Sequence, residues 1–295
     1  MQALLNVAVG NPSDPQDDFD GIDIDYENFA FTDGKSTWPA TQPNWVAFMN
    51  ELGAALHAKG KLLAAAVPAI WTDANGRVAG YPVYDWKNII GSVDRLRIMV
   101  YDWTSAGSAN PGPIAPMSWV QNVITYTKLV IPADQLGKVY LGVPTYGRRW
   151  AKVVAGTCPS GTNLASASPS TEDAIKLARS HGSTPIRDAS GEMTFWYESE
   201  HAGKLTTTTA PPAYVPPATT MDVIDEADAA SLAPARRVMQ PGASVSCTVR
   251  WTVFYPDTQS VVDRANVALS SGLGGIAIWA LGYETDDLWP ALAAL

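Results

Sequence analysis

The stretch DGIDIDYE (20–27) places four acidic residues within eight positions. Three of them, Asp23, Asp25 and Glu27, alternate with two isoleucines and a tyrosine. Side chains of a β-strand point alternately to opposite faces, so the pattern predicts a strand over 20–27 with one apolar and one acidic face. Three carboxylates on one face cannot all ionise without cost, and at least one should have a raised pKa. A carboxylic acid that stays protonated near neutral pH is what general acid catalysis requires.

Two other interpretations of 20–27 compete with this one. A calcium loop starting at Asp23 needs glycine at its sixth position, where Asn28 stands, and the two isoleucines favour a strand. A solvated acidic face is the simpler alternative, although it would not need bulky apolar residues on its reverse side. The strand with a chemically active acidic face is therefore the favoured hypothesis.

Composition narrows the classes of partner. The 295-residue chain has a net charge of −9, which argues against nucleic acid or an anionic membrane surface as a partner. The sequence contains no run of about 18 apolar residues, so no membrane span is predicted. The three histidines show no metal-ligand spacing, so we expect neither a metal nor another cofactor.

Apolar runs alternate with helical periodicity between residues 20 and 150. This βαβα order predicts a parallel sheet or barrel. The predicted strands after the first are 62–67, 96–101 and 139–144, and the predicted helices are 45–56, 84–93 and 118–130.

The rhythm breaks between residues 150 and 250, where Ser, Thr, Pro and Gly are abundant and TTTTAPPAYVPPATT (206–220) forms a low-complexity segment. Strands over 193–199 and 244–255 predict an α+β insertion. The rhythm then returns with a helix capped by Asp257, a strand over 273–279 and a last short helix. We therefore divide the chain into 1–149, an insertion at 150–250, and 251–295.

Four motifs together resemble one enzyme family. DGIDIDYE matches at all four acidic positions the DxxDxDxE signature of glycoside hydrolase family 18, which comprises chitinases and related β-N-acetylglucosaminidases. IMVYDW (98–103), VYLGVPTYGRRW (139–150) and GGIAIWALG (274–282) resemble the family's sixth, seventh and eighth strands, in order. The C-terminal part is most similar to the bacterial branch of spore-cortex and peptidoglycan glucosaminidases.

The resemblance implies an α/β fold of the TIM-barrel (β/α) type, with the α+β insertion between strands 7 and 8. The acidic motif lies on the family's fourth strand, and only 19 residues precede Asp20. We therefore expect a barrel incomplete at its N-terminus, with strands 4–8 present. Such a sheet would expose an edge and an apolar inner face, which predicts a homo-oligomer covering the open edge. The missing strands would leave the cleft open to water, which predicts weak activity.

The resemblance also implies roles for individual residues. Glu27 would protonate the glycosidic oxygen, and Asp25 would hold the substrate's 2-acetamido group, which attacks the anomeric carbon. Asp23 would share a proton with Asp25, Tyr101 would hydrogen-bond the acetamido carbonyl, and Asp20 would be structural.

Four further residues would contact the sugar: Asp102, Tyr146, Arg148 and Trp279. Each has a simpler explanation, because Trp279 lies in an apolar strand and could be core, and Asp102 could merely cap a turn. Tyr146 and Arg148 adjoin a Tyr-Gly pair, which is ordinary turn chemistry.

The two cysteines, Cys158 and Cys247, flank the irregular region and could form a disulfide or remain buried thiols. The disulfide is favoured, and with the resemblance it points to a secreted or cell-wall-associated bacterial protein.

Several functions remain open. The first is a retaining glycosidase that cleaves β-1,4 linkages of N-acetylglucosamine in chitin or chitooligosaccharides. The alternatives are a peptidoglycan N-acetylglucosaminidase, a non-catalytic or weakly active chitinase-like sugar-binding protein, and a barrel fragment without independent activity. The retained Glu27 favours an enzyme over a binding protein.

Overall fold

The computed structural model describes residues 2–10, 19–206 and 242–295. The chain forms two compact units. The first contains Met1–Arg149, Ser166–Phe195 and Thr252–Leu295, and the second contains Trp150–Ala165 and Trp196–Trp251. Residues 166–195, which the sequence assigns to the insertion, group with the first unit. Most of the low-complexity segment 206–220 lies outside the described residues.

A five-stranded parallel sheet organises the first unit. Its strand order is β1-β2-β5-β6-β11, and every neighbouring pair is parallel. The strands are β1 Gly21–Ile24, β2 Leu62–Pro68, β5 Arg95–Met99, β6 Val139–Pro144 and β11 Gly275–Trp279; the short pair β3 Ile70–Thr72 and β4 Val78–Gly80 forms a separate two-stranded sheet. The α/β fold of the TIM-barrel type predicted from the sequence is confirmed.

Helices connect the parallel strands. They are α1 Gln2–Val9, α2 Asn28–Phe31, α3 Trp38–His57, α4 Trp86–Ile89, α5 Met117–Val130, α6 Thr171–Ser180, α7 Thr258–Ser270 and α8 Leu288–Ala293. Gly60 adopts a positive φ just after α3, as the sequence predicts for a helix end. The Asp257 side chain caps α7 by accepting a hydrogen bond from the Ser260 amide at 3.0 Å, which is also as predicted. Among the described residues no helix is long and apolar enough to cross a membrane.

The core of the unit lies between the sheet and these helices. Alternate strand residues such as Ile24, Leu96 and Ile98 belong to this core together with helical Leu52 and Val123. The other alternate positions of β1 and β5 carry Asp23, Arg95 and Arg97. The prediction of an apolar inner face is therefore wrong for these two strands, because charged side chains occupy the face that the helices leave uncovered.

The acidic stretch is a shorter strand than its alternation predicts. The strand ends at Ile24, and the chain then turns into α2. The carbonyl of Glu27 accepts hydrogen bonds from the amides of Ala30 and Phe31 at 2.9 and 3.1 Å, so Glu27 starts a helical turn. Asp25 and Glu27 consequently lie in the loop beyond the strand, whereas Asp23 lies within the strand itself.

A second, four-stranded sheet has the order β7-β10-β9-β8. Its strands are β7 Arg148–Gly156, β8 Ile186–Arg187, β9 Met193–Lys204 and β10 Ser244–Tyr255, and the last has the bounds predicted from the sequence. In the second unit Cys158 and Cys247 form a disulfide that joins positions 89 residues apart. The Arg250 guanidinium pairs with Glu198 at 2.7 Å and lies 4.5 Å from the centre of the Trp196 ring.

Candidate active site

The predicted site residues of the first unit lie at or just beyond the carboxyl ends of its parallel strands. Asp25 and Glu27 follow β1, Tyr101 and Asp102 follow β5, and Tyr146 follows β6. Parallel strands of one sheet end on the same side, which is where the loops of α/β enzymes assemble their active sites.

The environment of Glu27 favours its protonated form. Burial raises its pKa, and the negative charge of Asp25, a hydrogen bond to the Asp25 side chain and the charge of Asp102 raise it further. The hydrogen bond favours a neutral Glu27 that donates to the Asp25 side chain. At least one of the carboxyl groups of 20–27 therefore has a raised pKa, as the crowding of acidic residues in this stretch predicts.

Asp23 has a different partner. Its carboxylate forms an ion pair with the Arg97 guanidinium, which reaches it from β5. The sequence analysis did not identify Arg97. The signal was present in RLRIMVYD (95–102), where charged and apolar residues alternate and place Arg97 on the same strand face as Tyr101.

Tyrosines surround the carboxyl groups. Burial raises the pKa of Tyr101, and the charges of Asp25, Glu27 and Asp102 add to the effect. Tyr84 was also missed by the sequence analysis. Its pKa is raised by burial and then by the charges of Glu27 and Asp25, and its hydroxyl donates to the carbonyl of Tyr26 at 2.7 Å. Both phenols therefore remain protonated, and the Tyr84 proton is committed to the Tyr26 carbonyl.

A polar cluster holds Asp102. The Tyr146 hydroxyl donates to Oδ1 of Asp102 at 2.7 Å, and Nη2 of Arg148 donates to the same oxygen at 2.9 Å. Asp102 has a φ of 59°, a left-handed conformation that Asp tolerates better than most residues. The Tyr146 ring meets the Tyr101 ring edge-on at 6.2 Å between centroids. The structure thus brings Tyr101, Asp102, Tyr146 and Arg148 into one group.

Trp279 ends the last parallel strand. It stands opposite Pro144 in the register of β11 and β6, and its carbonyl accepts a hydrogen bond from the Thr145 amide at 2.9 Å. Its side chain is an exposed large apolar group, with 56% of its surface accessible. Trp279 is therefore not core, and its ring presents a surface on which a sugar could stack.

The remaining predicted residues lie elsewhere. Asp20 precedes β1, and its carbonyl accepts a hydrogen bond from the Leu62 amide at 2.8 Å. Cys158 and Cys247 belong to the second unit. Among the described residues no group of three or more His, Cys, Asp or Glu side chains could hold a metal ion.

A cavity of about 540 Å³ in the first unit is not lined by these residues. Its walls carry charges of both signs and include Glu172, Lys176, Arg179, Asp257 and Asp287. The Lys176 ammonium pairs with Glu172 at 2.7 Å and the Arg187 guanidinium with Asp257 at 2.6 Å. We place the candidate active site at the strand ends and not in this cavity, because Glu27, a carboxyl group with a raised pKa, adjoins the carboxyl group of Asp25 there.

A carboxyl group with a raised pKa beside a second carboxyl group, with phenolic donors at the strand ends of a (β/α) sheet, is an arrangement typical of glycosidases. The sequence agrees with this class. Residues 7–284 match the family model for glycosyl hydrolases family 18, and the chain belongs to that family of glycosidases.

Named relatives are similar to this chain in sequence, and solved structures are similar to it in fold. The cortical fragment-lytic enzyme of Bacillus subtilis (strain 168) is 26% identical over 256 residues, which cover 86% of this chain and 46% of the relative. The crystal structure of the chitinase from Chromobacterium violaceum ATCC 12472 has a TM-score of 0.65 at 24% identity. The match covers 99% of this chain and 69% of the chitinase chain. The crystal structure of the spore cortex-lytic enzyme SleL of Bacillus cereus has a TM-score of 0.66 at 21% identity. This match covers 99% of this chain and 51% of the SleL chain.

This chain is shorter than those relatives. It spans between 28% and 60% of the length of the curated proteins that it matches.

Proposed function

We propose that the protein cleaves β-1,4 linkages of N-acetylglucosamine-containing glycans with retention of configuration, and that Glu27 is the general acid. The observation that carries this proposal is the Glu27 carboxyl group, whose pKa is raised by burial and by its hydrogen-bonded neighbour Asp25. A general acid must hold its proton at the working pH, and a neighbouring carboxylate maintains that state.

In the proposed mechanism Glu27 gives its proton to the glycosidic oxygen as the bond to the anomeric carbon breaks. The carbonyl oxygen of the substrate's own 2-acetamido group attacks that carbon and forms a cyclic intermediate. Asp25 accepts a hydrogen bond from the acetamido N–H and stabilises the positive charge that develops. Glu27 then deprotonates the water that opens the intermediate, which restores the starting configuration.

Other residues would orient the sugar. Tyr101 keeps its proton, because burial and three nearby carboxyl groups raise its pKa, and it would donate to the acetamido carbonyl. Asp102 is held by Tyr146 and Arg148 and would accept hydrogen bonds from sugar hydroxyls. The exposed Trp279 ring would stack against the sugar face.

Two substrates deserve direct comparison. The relatives include proteins named as cortical fragment-lytic enzymes and others named as chitinases, which favours peptidoglycan and chitin respectively. Incubation of the protein with chitooligosaccharides and with purified peptidoglycan, followed by mass spectrometry, would identify the glycan that is cut. The proposal expects fragments ending in reducing N-acetylglucosamine from at least one polymer, and no fragments from either would refute it.

Stereochemistry provides a second test. Proton NMR of a chitooligosaccharide digest, recorded during the first minutes, should show the β-anomer of the new reducing end before mutarotation. Initial formation of the α-anomer would contradict the retaining mechanism.

The site of action follows as part of the proposal. A disulfide between Cys158 and Cys247 is typical of proteins that work outside a reducing cytoplasm. Together with a glycan substrate, this supports secretion or association with the cell wall.

A further inference from the structure

The ion pair between Asp23 and Arg97 crosses an intervening strand. Asp23 lies on β1 and Arg97 on β5, with β2 between them. Within β2, Ala64 stands opposite Asp23 and Ala66 stands opposite Arg97. Two strand spacings amount to about 10 Å, which a long side chain can span together with an aspartate only if the middle strand carries small residues.

The pair is partly shielded from water. The accessible fraction is 30% for the Arg97 side chain and 45% for the Asp23 side chain. A guanidinium in contact with a carboxylate favours the ionised acid, and the effect grows as solvent is excluded. Arg97 thus acts on one specific carboxyl group of the acidic stretch, whereas Glu27 interacts with Asp25.

Other charges around Asp23 are few in the described part of the chain. Arg95 is in register with Asp23 through Ala64, and Asp25 is two residues further along. Strand β2 carries no titratable side chain, and α1, which packs against β1, carries no charged residue. Arg97 is therefore the cation that pairs with Asp23, whereas the exposed Arg95 lies on the same face of β5.

We infer that Arg97 is a positioning residue that keeps Asp23 ionised and fixed in place, so that the proton of the acidic stretch resides between Asp25 and Glu27. The inference rests on the proposed function, since it specifies how the general acid of that function is kept protonated. The sequence analysis expects Asp23 and Asp25 to share a proton. In this inference the proton is shared by Asp25 and Glu27 instead. The raised pKa of Glu27 supports this distribution.

The pH dependence of hydrolysis tests the inference. Arg97→Met keeps most of the side chain's length but removes the charge, so Asp23 becomes free to compete for the proton. The acidic limb of the kcat/KM profile on a fluorogenic chitooligosaccharide should move upward by about one pH unit. Arg97→Lys should reverse most of this shift, and Arg95→Met, which removes an exposed cation from the same strand face, should leave the limb in place.

A second measurement does not require activity. Carbon-13 NMR of aspartate carboxyl groups, with the Asp23 signal assigned by Asp23→Asn, reports the ionisation of Asp23 directly. In Arg97→Met its titration midpoint should rise by about one pH unit relative to the wild type. Circular dichroism of each variant confirms that the fold is retained.

These results separate the two proposals. A wild type that cuts no glycan but shows the NMR shift would refute the proposed function and support the role of Arg97. An Asp23 midpoint that is the same in the wild type and Arg97→Met would overturn the inference. A rate that falls by one constant factor at every pH would overturn it too, because a merely structural residue would behave in that way.

Discussion

Glu27 illustrates how a functional residue opposes stability. Its raised pKa means that the folded state binds the proton more tightly than the unfolded chain does. The free energy of unfolding therefore falls as the pH rises from the ordinary value of 4.5 through the folded-state pKa. Above that window the folded protein contains an ionised Glu27 in an environment that disfavours it.

Replacement of Glu27 by Gln should remove this penalty. We expect Glu27→Gln to gain thermal stability relative to the wild type as the pH rises from 4 to 8, because only the wild type ionises there. Scanning calorimetry at several pH values measures the difference. Glu51→Gln, an exposed substitution on α3, is the matched control for removal of a carboxyl group. A pH-independent difference for Glu27→Gln would contradict the account.

Asp102 combines a hydrogen-bonding role with a backbone role. Asp102→Asn retains an acceptor for Tyr146 and a residue that tolerates a left-handed conformation, so it should lower the free energy of unfolding by about 1 kcal/mol. Asp102→Ala also loses both hydrogen bonds and must hold an unfavourable φ, so about 2–3 kcal/mol is expected. Urea denaturation measures both values, and equal losses would show that the backbone conformation is unimportant.

At the scale of elements, a buried ion pair anchors the loop that carries Asp102. The Glu192 carboxylate accepts hydrogen bonds from the amides of Ile114 and Ala115 at 2.8 and 2.7 Å, and it pairs with Arg264 of α7 at 3.2 Å. Both charged side chains are essentially inaccessible to water. The Ile114 carbonyl in turn accepts a hydrogen bond from the Trp103 amide, which adjoins Asp102.

Breaking this pair should be costly. Arg264→Met leaves a buried carboxylate without its counter-charge, so we expect a loss of about 3–5 kcal/mol in the free energy of unfolding. The double variant Arg264→Met with Glu192→Gln should recover part of that loss. Lys176→Met, which breaks an exposed pair on α6, is the control and should leave the urea midpoint unchanged. A single variant as stable as the wild type would contradict this role.

The elements show which features are readable from sequence. Periodicity predicts β6 and β10 with their observed bounds and locates α5 and α7 closely, because apolar side chains set both the pattern and the core. The helix predicted over 45–56 is α3, which begins seven residues earlier, at Trp38. The end of β1 is not predicted. The alternation of 20–27 continues for three residues after β1 ends at Ile24. A loop that lines a site can alternate for chemical reasons, without packing two faces.

The same limit applies to the site. The carboxylates and Tyr101 are found through their motif, whereas Arg97, Tyr84 and the Glu192–Arg264 pair depend on contacts between distant parts of the chain. Arg97 alternates visibly in its strand, but its partner two strands away follows only from the sheet order. Pair-specific electrostatics needs the tertiary structure.

At the scale of the whole molecule, the parallel sheet has two outer strands. In the described part of the chain β1 and β11 each pair with one neighbour in this sheet, and unpaired strand edges promote association. We expect a dimer or larger assembly whose proportion rises with concentration. Multi-angle light scattering over a dilution series measures this, and a monomer at every concentration would rule out the association.

The central claim is that Glu27 supplies the proton for glycosidic cleavage, and one kinetic comparison tests it most directly. Hydrolysis of a fluorogenic N-acetylglucosamine oligomer should fall at least 100-fold in Glu27→Gln, whereas Glu51→Gln should match the wild type. Circular dichroism shows that both variants are folded. Equal rates for the wild type and Glu27→Gln would remove Glu27 from the mechanism and contradict the account.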